Sequence, residues 1–255
     1  MKNLIIITLN MLGLINFFIP SLGEISIVKT IESIQKQNYP NCKTTIGTDN
    51  DEGHEKINDI LKQLKPKNVL HYRFPEKVTK GRPELLVASA MYSIKYDYWQ
   101  SVGCGDWFEP WHASLVLKTY VEKKPDWVFT LRNIWDKNGN FICKDIFESI
   151  GFHEVWNNPG YIFVDGQSYC IQRRMAYDVA NSLPMSRELD ERTDKYIFDI
   201  FRTKYPNYVC TNDYTLNFKL NRGTDEQLEY AKQWYLAGYK HMNEQYPDGK
   251  YPWIK

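Results

Sequence analysis

Several signals that would assign a chain of this size at once are missing. No two cysteines are spaced as CxxC; the five present, Cys42, Cys104, Cys143, Cys170 and Cys210, are odd in number and far apart. The usual sequence signal for zinc or a dithiol redox motif is therefore absent, and the cysteines read as reduced thiols in a cytosolic setting. There is no Asn-x-Ser/Thr sequon, which agrees with that setting. Neither charge is in excess, since 32 basic residues face 31 acidic ones for a formal charge of +1. No large field draws the protein to nucleic acid or to an anionic membrane, and nucleic acid is not expected as a partner. The glycine-rich dinucleotide fingerprint and the P-loop are both absent, so the phosphates of any bound nucleotide must be neutralised in another way. Internal repeats, low-complexity tracts and linkers are lacking as well.

No apolar run reaches the roughly 20 residues that a spanning helix needs. The N-terminus, MKNLIIITLNMLGLINFFIPSLGE, places Lys2 before an apolar stretch as a signal peptide does, but Asn10 and Asn16 interrupt it and no clear small-x-small site follows. We read residues 14–19 as a buried parallel strand ending at Pro20, with SLGE as the turn onto a helix. No stable membrane span is expected, and the apolar N-terminus is the one feature suited to membrane association.

What is present describes a folded globular chain: 255 residues, 43% hydrophobic and 25% charged, with 15% aromatic residues including 8 Trp and 18 Tyr. Such aromatics line sugar or base sites in some proteins, but any single ring more often packs a core. The length suits one large α/β domain with a C-terminal elaboration. After the first strand, Ile27, Val28, Ile31 and Ile34 recur at helical spacing, and CKTTIG reads as a second strand with residues 48–53 as the loop at its end. Strand, helix, strand with acidic residues at the second strand's end is a βαβ unit able to bind a nucleotide. A further helix over 55–64, a third strand NVLHYRFP, and a basic loop carrying Lys77, Lys80 and Arg82 follow; Arg82 suits phosphate because its planar fork donates two bonds.

The organising stretch is GCGDWFEPWH, residues 103–112, between an aromatic strand and an apolar helix. Asp106 lies at that strand's end, where α/β sheets place ligand chemistry, though a turn or helix-start Asp is the plain structural alternative. His112 reads as packing at a helix start. Farther on, two alternating runs flank DKNG, whose Asn138-Gly139 signals a two-residue hairpin. The segment YIFVDGQSYCIQRRMAYDVA reads as a strand, a tight turn at Asp165-Gly166 and a helix. Another helix begins near Thr193, a candidate N-cap, with Asp194 in the first turn and Ile197, Ile200 and Phe201 on its buried side. DYTLNFKL is a further strand, and EQLEYAKQWYLAGYKHM a long helix.

In their order and spacing, IPSLG, VKTIESIQKQNYPN, IGTDND, WFEPWH, TLRNIWDKNGNFICKD, FESIG, VDGQSYC and DYTLNFKL resemble the family 2 glycosyltransferases of the GT-A fold, and within them one bacterial and viral branch. The likeness covers roughly residues 14–220. It implies a mixed, mainly parallel sheet flanked by helices in a single domain, 1–255. Residues 14–112 would form the nucleotide-sugar half, 113–220 the acceptor half, and 221–255 a C-terminal helix and tail. It implies inverting transfer of a sugar from a nucleotide-diphosphate sugar to a hydroxyl acceptor such as a glycan. Carried over residue by residue, Pro20, Ser21 and Gly23 would lie along the nucleoside, Asp49 would bond the base with Asp51 as its nearby substitute, and Arg82 and Asp106 would face the diphosphate. Asp194 would be the general base, with Asp190 and Glu191 as neighbours, Asp165 would lie near donor and acceptor, and Glu148 is a possible acceptor contact. The family's Asp-x-Asp metal motif, aligned on Trp107, falls on Gly103 and Gly105, leaving Asp106 as the one carboxylate for Mn²⁺ or Mg²⁺. The missing pair keeps a second reading open, an inactive GT-A domain that binds a nucleotide sugar or glycan. A nucleotidyltransferase is disfavoured, because its glycine-rich basic first loop is absent.

Overall fold

The computed structural model describes residues 13–75, 84–147, 164–188 and 193–251. Nine strands form one sheet in the order β3-β2-β1-β4-β8-β6-β9-β5, with β7 paired to β6. The first four are β1 (Ile15–Pro20), β2 (Cys42–Thr48), β3 (Val69–Arg73) and β4 (Tyr98–Ser101). They are mutually parallel, with Ile15 opposite both Cys42 and Tyr98. β1 is buried on both faces, as an interior parallel strand must be, and is apolar there except for Asn16, whose Oδ1 accepts from Thr45 Oγ1 at 2.7 Å. Phe18 enters one buried cluster, while Ile15, Phe17 and Ile19 enter the other.

Helices α1 (Ile27–Gln35) and α2 (Asp51–Leu64) join the first three strands, and α3 (Glu84–Ser93) precedes β4. The periodicity of α1 is realised: Ile27, Ile31 and Ile34 are buried, but so are Thr30 and Ser33 on the same side. α2 starts four residues earlier than the sequence pattern suggests, because the Asn50 side chain accepts from Gly53 N at 2.7 Å and Asp51 and Glu52 then sit favourably in the first turn. What reads as an acidic loop is thus largely a helix start.

Beyond β4 the sheet becomes mixed. β5 (Trp107–Phe108) is short, α4 (His112–Lys123) follows Pro110, and β6 (Trp127–Trp135) pairs antiparallel with β7 (Phe141–Asp145). The expected hairpin is there, but its loop is longer than two residues. Asp136 gathers it by accepting from the backbone N–H groups of Asn138 and Asn140, both at 2.8 Å. β8 (Tyr169–Gln172) departs from the sequence pattern, which runs the Asp165-Gly166 turn straight into a helix. Its four residues pair antiparallel with both β4 and β6 and so fill the centre of the sheet before α5 (Arg173–Glu188) begins. α6 (Thr193–Lys204), β9 (Tyr208–Lys219) and α7 (Asp225–Gln245) complete the described chain, β9 running parallel to β6. Thr193 is the first helical residue, and its hydroxyl donates to Glu84 Oε1 at 3.1 Å. Six of the nine strands share one direction, as the mainly parallel expectation requires.

One apolar cluster gathers residues of α1, α2 and α4, a second those of α3, α5, α6 and α7, and a small third joins Val116 and Tyr120 to Val128 and Cys170. Most aromatic rings serve this packing. Trp127, fully buried, meets Phe129, Phe198, Phe201 and Tyr208 with centroids 4.9–6.2 Å apart. No helix among the described residues is long and apolar enough to cross a membrane. All five cysteines are free thiols.

Gly238, inside α7, packs against the ring of Phe147 with no room for a methyl group. In an open helix Gly→Ala gains about 1 kcal/mol; here overpacking reverses the sign. Gly238→Ala is expected to lower unfolding stability by about 1–3 kcal/mol in urea denaturation. A stabilised variant would reject this packing.

Candidate functional site

The C-terminal edge of the parallel strands carries most of the residues singled out from sequence. Pro20 ends β1, and Ser21 N donates to Gly47 O at 2.9 Å, tying the loop to β2. Ser21 is buried; its hydroxyl donates to Glu24 Oε2 at 2.7 Å and accepts from Gly23 N at 3.0 Å. Gly23 has φ +97°, and a Cβ there would lie 2.9 Å from Gly53 Cα, so only glycine lets this loop pass the first turn of α2. Burial works against the Glu24 carboxylate, yet hydrogen bonds from Ser21 and from backbone N–H groups hold its pKa below the ordinary value. Asp49 is buried beside Asn50, whose Nδ2 donates to it at 2.9 Å. Asp51 is exposed at the start of α2 and paired with Arg73 at 2.7 Å. Arg82, Lys77, Lys80, Glu148, Asp190 and Glu191 lie outside the described residues.

The loop of residues 103–106 is fastened from below by α1. Thr30 Oγ1 donates to Asp106 O at 2.6 Å and accepts from Gly105 N at 3.0 Å, while Ser33 Oγ accepts from Phe108 N. These are the buried polar positions within an otherwise apolar helix face. Asp106 is 3% exposed and accepts from Lys219 N at 2.8 Å through Oδ1. Burial raises its pKa to about 7; the Lys219 N–H and the charges of Arg222 and Arg132 oppose the rise, and Asp165 adds to it.

The segment 165–168 joins this loop to the other acids. Asp165 Oδ2 accepts from Arg132 Nη1 at 2.9 Å, and its Oδ1 from Gln167 N at 2.9 Å. Gln167 then reaches across: its Oε1 accepts from Gly103 N at 2.6 Å, and its carbonyl accepts from Gln100 Nε2. Asp194, in the first turn of α6, accepts from Gly166 N at 3.1 Å. Asp106, Asp165 and Asp194, 88 residues apart at the extremes, are thus held around one turn. Arg132 is itself buried, bonded to Asp145 at 2.6 Å and to Tyr235 Oη at 3.0 Å.

Sequence reasoning passed over Arg132, Gln167, Arg222 and the buried face of Thr30 and Ser33. Arg132 did carry a signal, a lone cation in the apolar run of β6. Gln167 carried none. His112 is structural, as read: it is fully buried, stacked on Phe108, and its two ring nitrogens meet Thr215 Oγ1 at 2.7 Å and Gln100 Oε1 at 2.9 Å.

A divalent ion fits this donor set poorly. Gly103 and Gly105 supply no side-chain ligand, Asp106 is the one carboxylate in the loop, and one of its oxygens already accepts from Lys219 N. Among the described residues no group of three or more His, Cys, Asp or Glu could hold a metal ion.

No family model and no curated protein matches the sequence. Residues 1–349 of TarS from S. aureus in complex with UDP match with a TM-score of 0.62 at 13% identity, over 92% of this chain and 72% of that one. The UDP-GlcNAc complex of the same fragment gives 0.60 at 11% identity, over 84% and 60%. The mannosyltransferase PcManGT from Pyrobaculum calidifontis, in complex with GDP-Man and Mn²⁺, gives 0.57 at 11%, over 94% and 66%. The chain shares their fold.

Burial lowers the pKa of His112 to about 3. The native ring therefore stays neutral where the unfolded chain takes up a proton near 6.5. Its contribution to stability is present above pH about 6.5 and is lost as pH falls towards about 3. In thermal melts at pH 7 and pH 4.5, His112→Gln is expected to show the smaller pH-dependent drop in Tm. Equal drops in parent and variant would contradict a buried neutral ring.

Proposed function

We propose that the protein is a glycosyltransferase that moves a sugar from a nucleotide-diphosphate sugar to a hydroxyl acceptor, a glycan in the simplest case, with inversion. The observation that carries this reading is the convergence of Asp106, Asp165 and Asp194 on one turn, at the sheet edge where parallel α/β strands present ligand sites. The shared fold with nucleotide-sugar-bound structures supports it. In this reading residues 14–112 bind the donor, with Pro20, Ser21 and Gly23 along the nucleoside and Asp49 at the base. Residues 113–220 bind the acceptor. Free thiols at all five cysteines agree with a reducing compartment.

The three acids divide their work by environment. Asp165 is committed to Arg132 and to Gln167 N, so it positions the turn rather than accepting a proton. Asp106 is almost wholly buried beneath the loop, facing the donor side. Asp194 is half-buried at the outer end of the cluster and takes the role of general base. Its carboxylate accepts the proton of the acceptor hydroxyl as that oxygen forms a bond to the anomeric carbon; the bond to the diphosphate oxygen breaks, and the nucleoside diphosphate leaves. Attack opposite the leaving group inverts the anomeric centre.

The glycines at 103 and 105 favour one competing reading, a domain that binds a nucleotide sugar without turning it over. Calorimetric titration with UDP-GlcNAc and GDP-Man, followed by an assay of nucleoside diphosphate release with candidate glycans, separates the two. Binding with release is expected; binding without release under any acceptor moves the protein to the second reading, and no binding removes both. Asp194→Asn is expected to reduce turnover by about 10²–10⁴-fold while donor affinity stays within about twofold. An active variant would place the base elsewhere.

A further inference from the structure

The 103–106 loop departs from a carboxylate pair, and specific groups stand where the carboxylates would be. A Cβ on Gly103 would lie 2.6 Å from Asp106 Oδ2, 3.2 Å from Arg222 Nη2 and 3.3 Å from Gln167 Oε1. A Cβ on Gly105 would lie 2.8 Å from Asn221 Nδ2. Two nitrogen donors from the segment after β9 thus border the space that side chains at 103 and 105 would enter. The loop is also closed to acquiring those side chains cheaply. Gly105 has φ +92°, a conformation strained for any other residue, and Gly103 is crowded by Asp106 itself.

Two further cations stand on the Arg222 side of the loop, while the carboxylates of Glu24 and Asp165 act on Cys104 and Asp106. Lys29 lies over the Trp107 ring, 2.9 Å from its centroid. Burial and the charge of Lys219 both lower its pKa, and Asp106 opposes them. Three cations, Lys29, Lys219 and Arg222, therefore border a loop whose single carboxylate is buried. A divalent ion placed there would meet positive charge and too few oxygens. A diphosphate would meet complementary charge.

We propose that Arg222 supplies, within the chain, the positive charge that meets the donor's diphosphate, so that donor binding needs no divalent ion. The proposal rests on the nucleotide-sugar reading above. A guanidinium donates two parallel N–H bonds to phosphate oxygens, and its charge is fixed at any working pH. Placed at the leaving group, it stabilises the charge that develops on the departing diphosphate oxygen. Arg222 is exposed, in the short turn between β9 and α7, so its side chain can be replaced without disturbing the core.

The test is calorimetric titration of the full chain with UDP, GDP, UMP and GMP, each in EDTA and in excess MnCl₂, for the parent, Arg222→Gln and Arg222→Lys. The diphosphate preferred by the parent is expected to bind with the same Kd, within about twofold, in both buffers. Arg222→Gln should weaken it by roughly 10-fold or more, the scale of a lost charged hydrogen bond. The corresponding monophosphate should change by less than about threefold, and Arg222→Lys should recover part of the loss. Melting temperatures equal to the parent's would confirm that the variants are folded. Tightening of the parent's diphosphate binding by about tenfold or more in MnCl₂ would overturn the proposal and leave the nucleotide-sugar reading intact. An unchanged diphosphate affinity in Arg222→Gln would overturn it too. Absence of nucleotide binding in either buffer would overturn both.

Discussion

The buried ion cluster around Arg132 is the constraint on which the site depends. Its guanidinium is 2% exposed and bonded to Asp145 and Asp165, with Tyr235 Oη taking a further N–H and the Phe218 ring lying 4.6 Å from its central carbon. Burying these charges is costly, and the geometry repays it only because each acceptor is directly bonded. Asp145 lies opposite Arg132 across the β6–β7 pair, so the sheet register itself delivers one carboxylate. The second, Asp165, comes from the turn before β8. Without Arg132, two carboxylates would lose their common partner, and the turn that carries Gly166 and Gln167 would lose its anchor.

From that anchor the site is assembled by short polar contacts. Gln167 fixes the backbone of Gly103, Gly166 orients Asp194, and Thr30 holds the far side of the 103–106 loop. The glycines at 103 and 105 belong to this assembly and are more than missing carboxylates. Side chains there would collide with Asp106 or with Asn221, groups the loop is built around. Asp106, sunk beneath the loop, has its pKa raised to about 7, chiefly by burial. A carboxylate so placed is costly to ionise unless cations answer it, and Arg222 and Arg132 both do.

How much of this could be read from sequence follows from the range of the interactions. Ile27, Ile31 and Ile34 announce α1 because helical burial repeats every three or four residues, and the parallel β1–β2 unit follows from two apolar runs with a helix between them. The strand β8 was lost because four residues, YCIQ, are too few to show a period, and its place in the sheet is decided by β4 and β6. α2 started early because a single side chain, Asn50, caps it, while the acidic residues after it read equally well as a loop. The order of motifs pointed to the correct fold even though the identity with the matching structures is only 11–13%.

The candidate site is legible in its acids and illegible in what holds them. Asp106, Asp165 and Asp194 stand at local landmarks, a glycine loop before a short strand, a turn and a helix start, and each landmark has its own short-range signal. Their partners have none. Gln167 meets Gly103 across 64 residues, and Lys219 N meets Asp106 across 113. Arg222 follows the same logic: in the sequence it is one more exposed cation in a turn before a capped helix. It becomes informative only when β9 pairs with β5 and brings the end of the strand over the glycine loop. The charge balance at the proposed donor site is therefore a property of strand pairing, which no short sequence motif beside Trp107 carries.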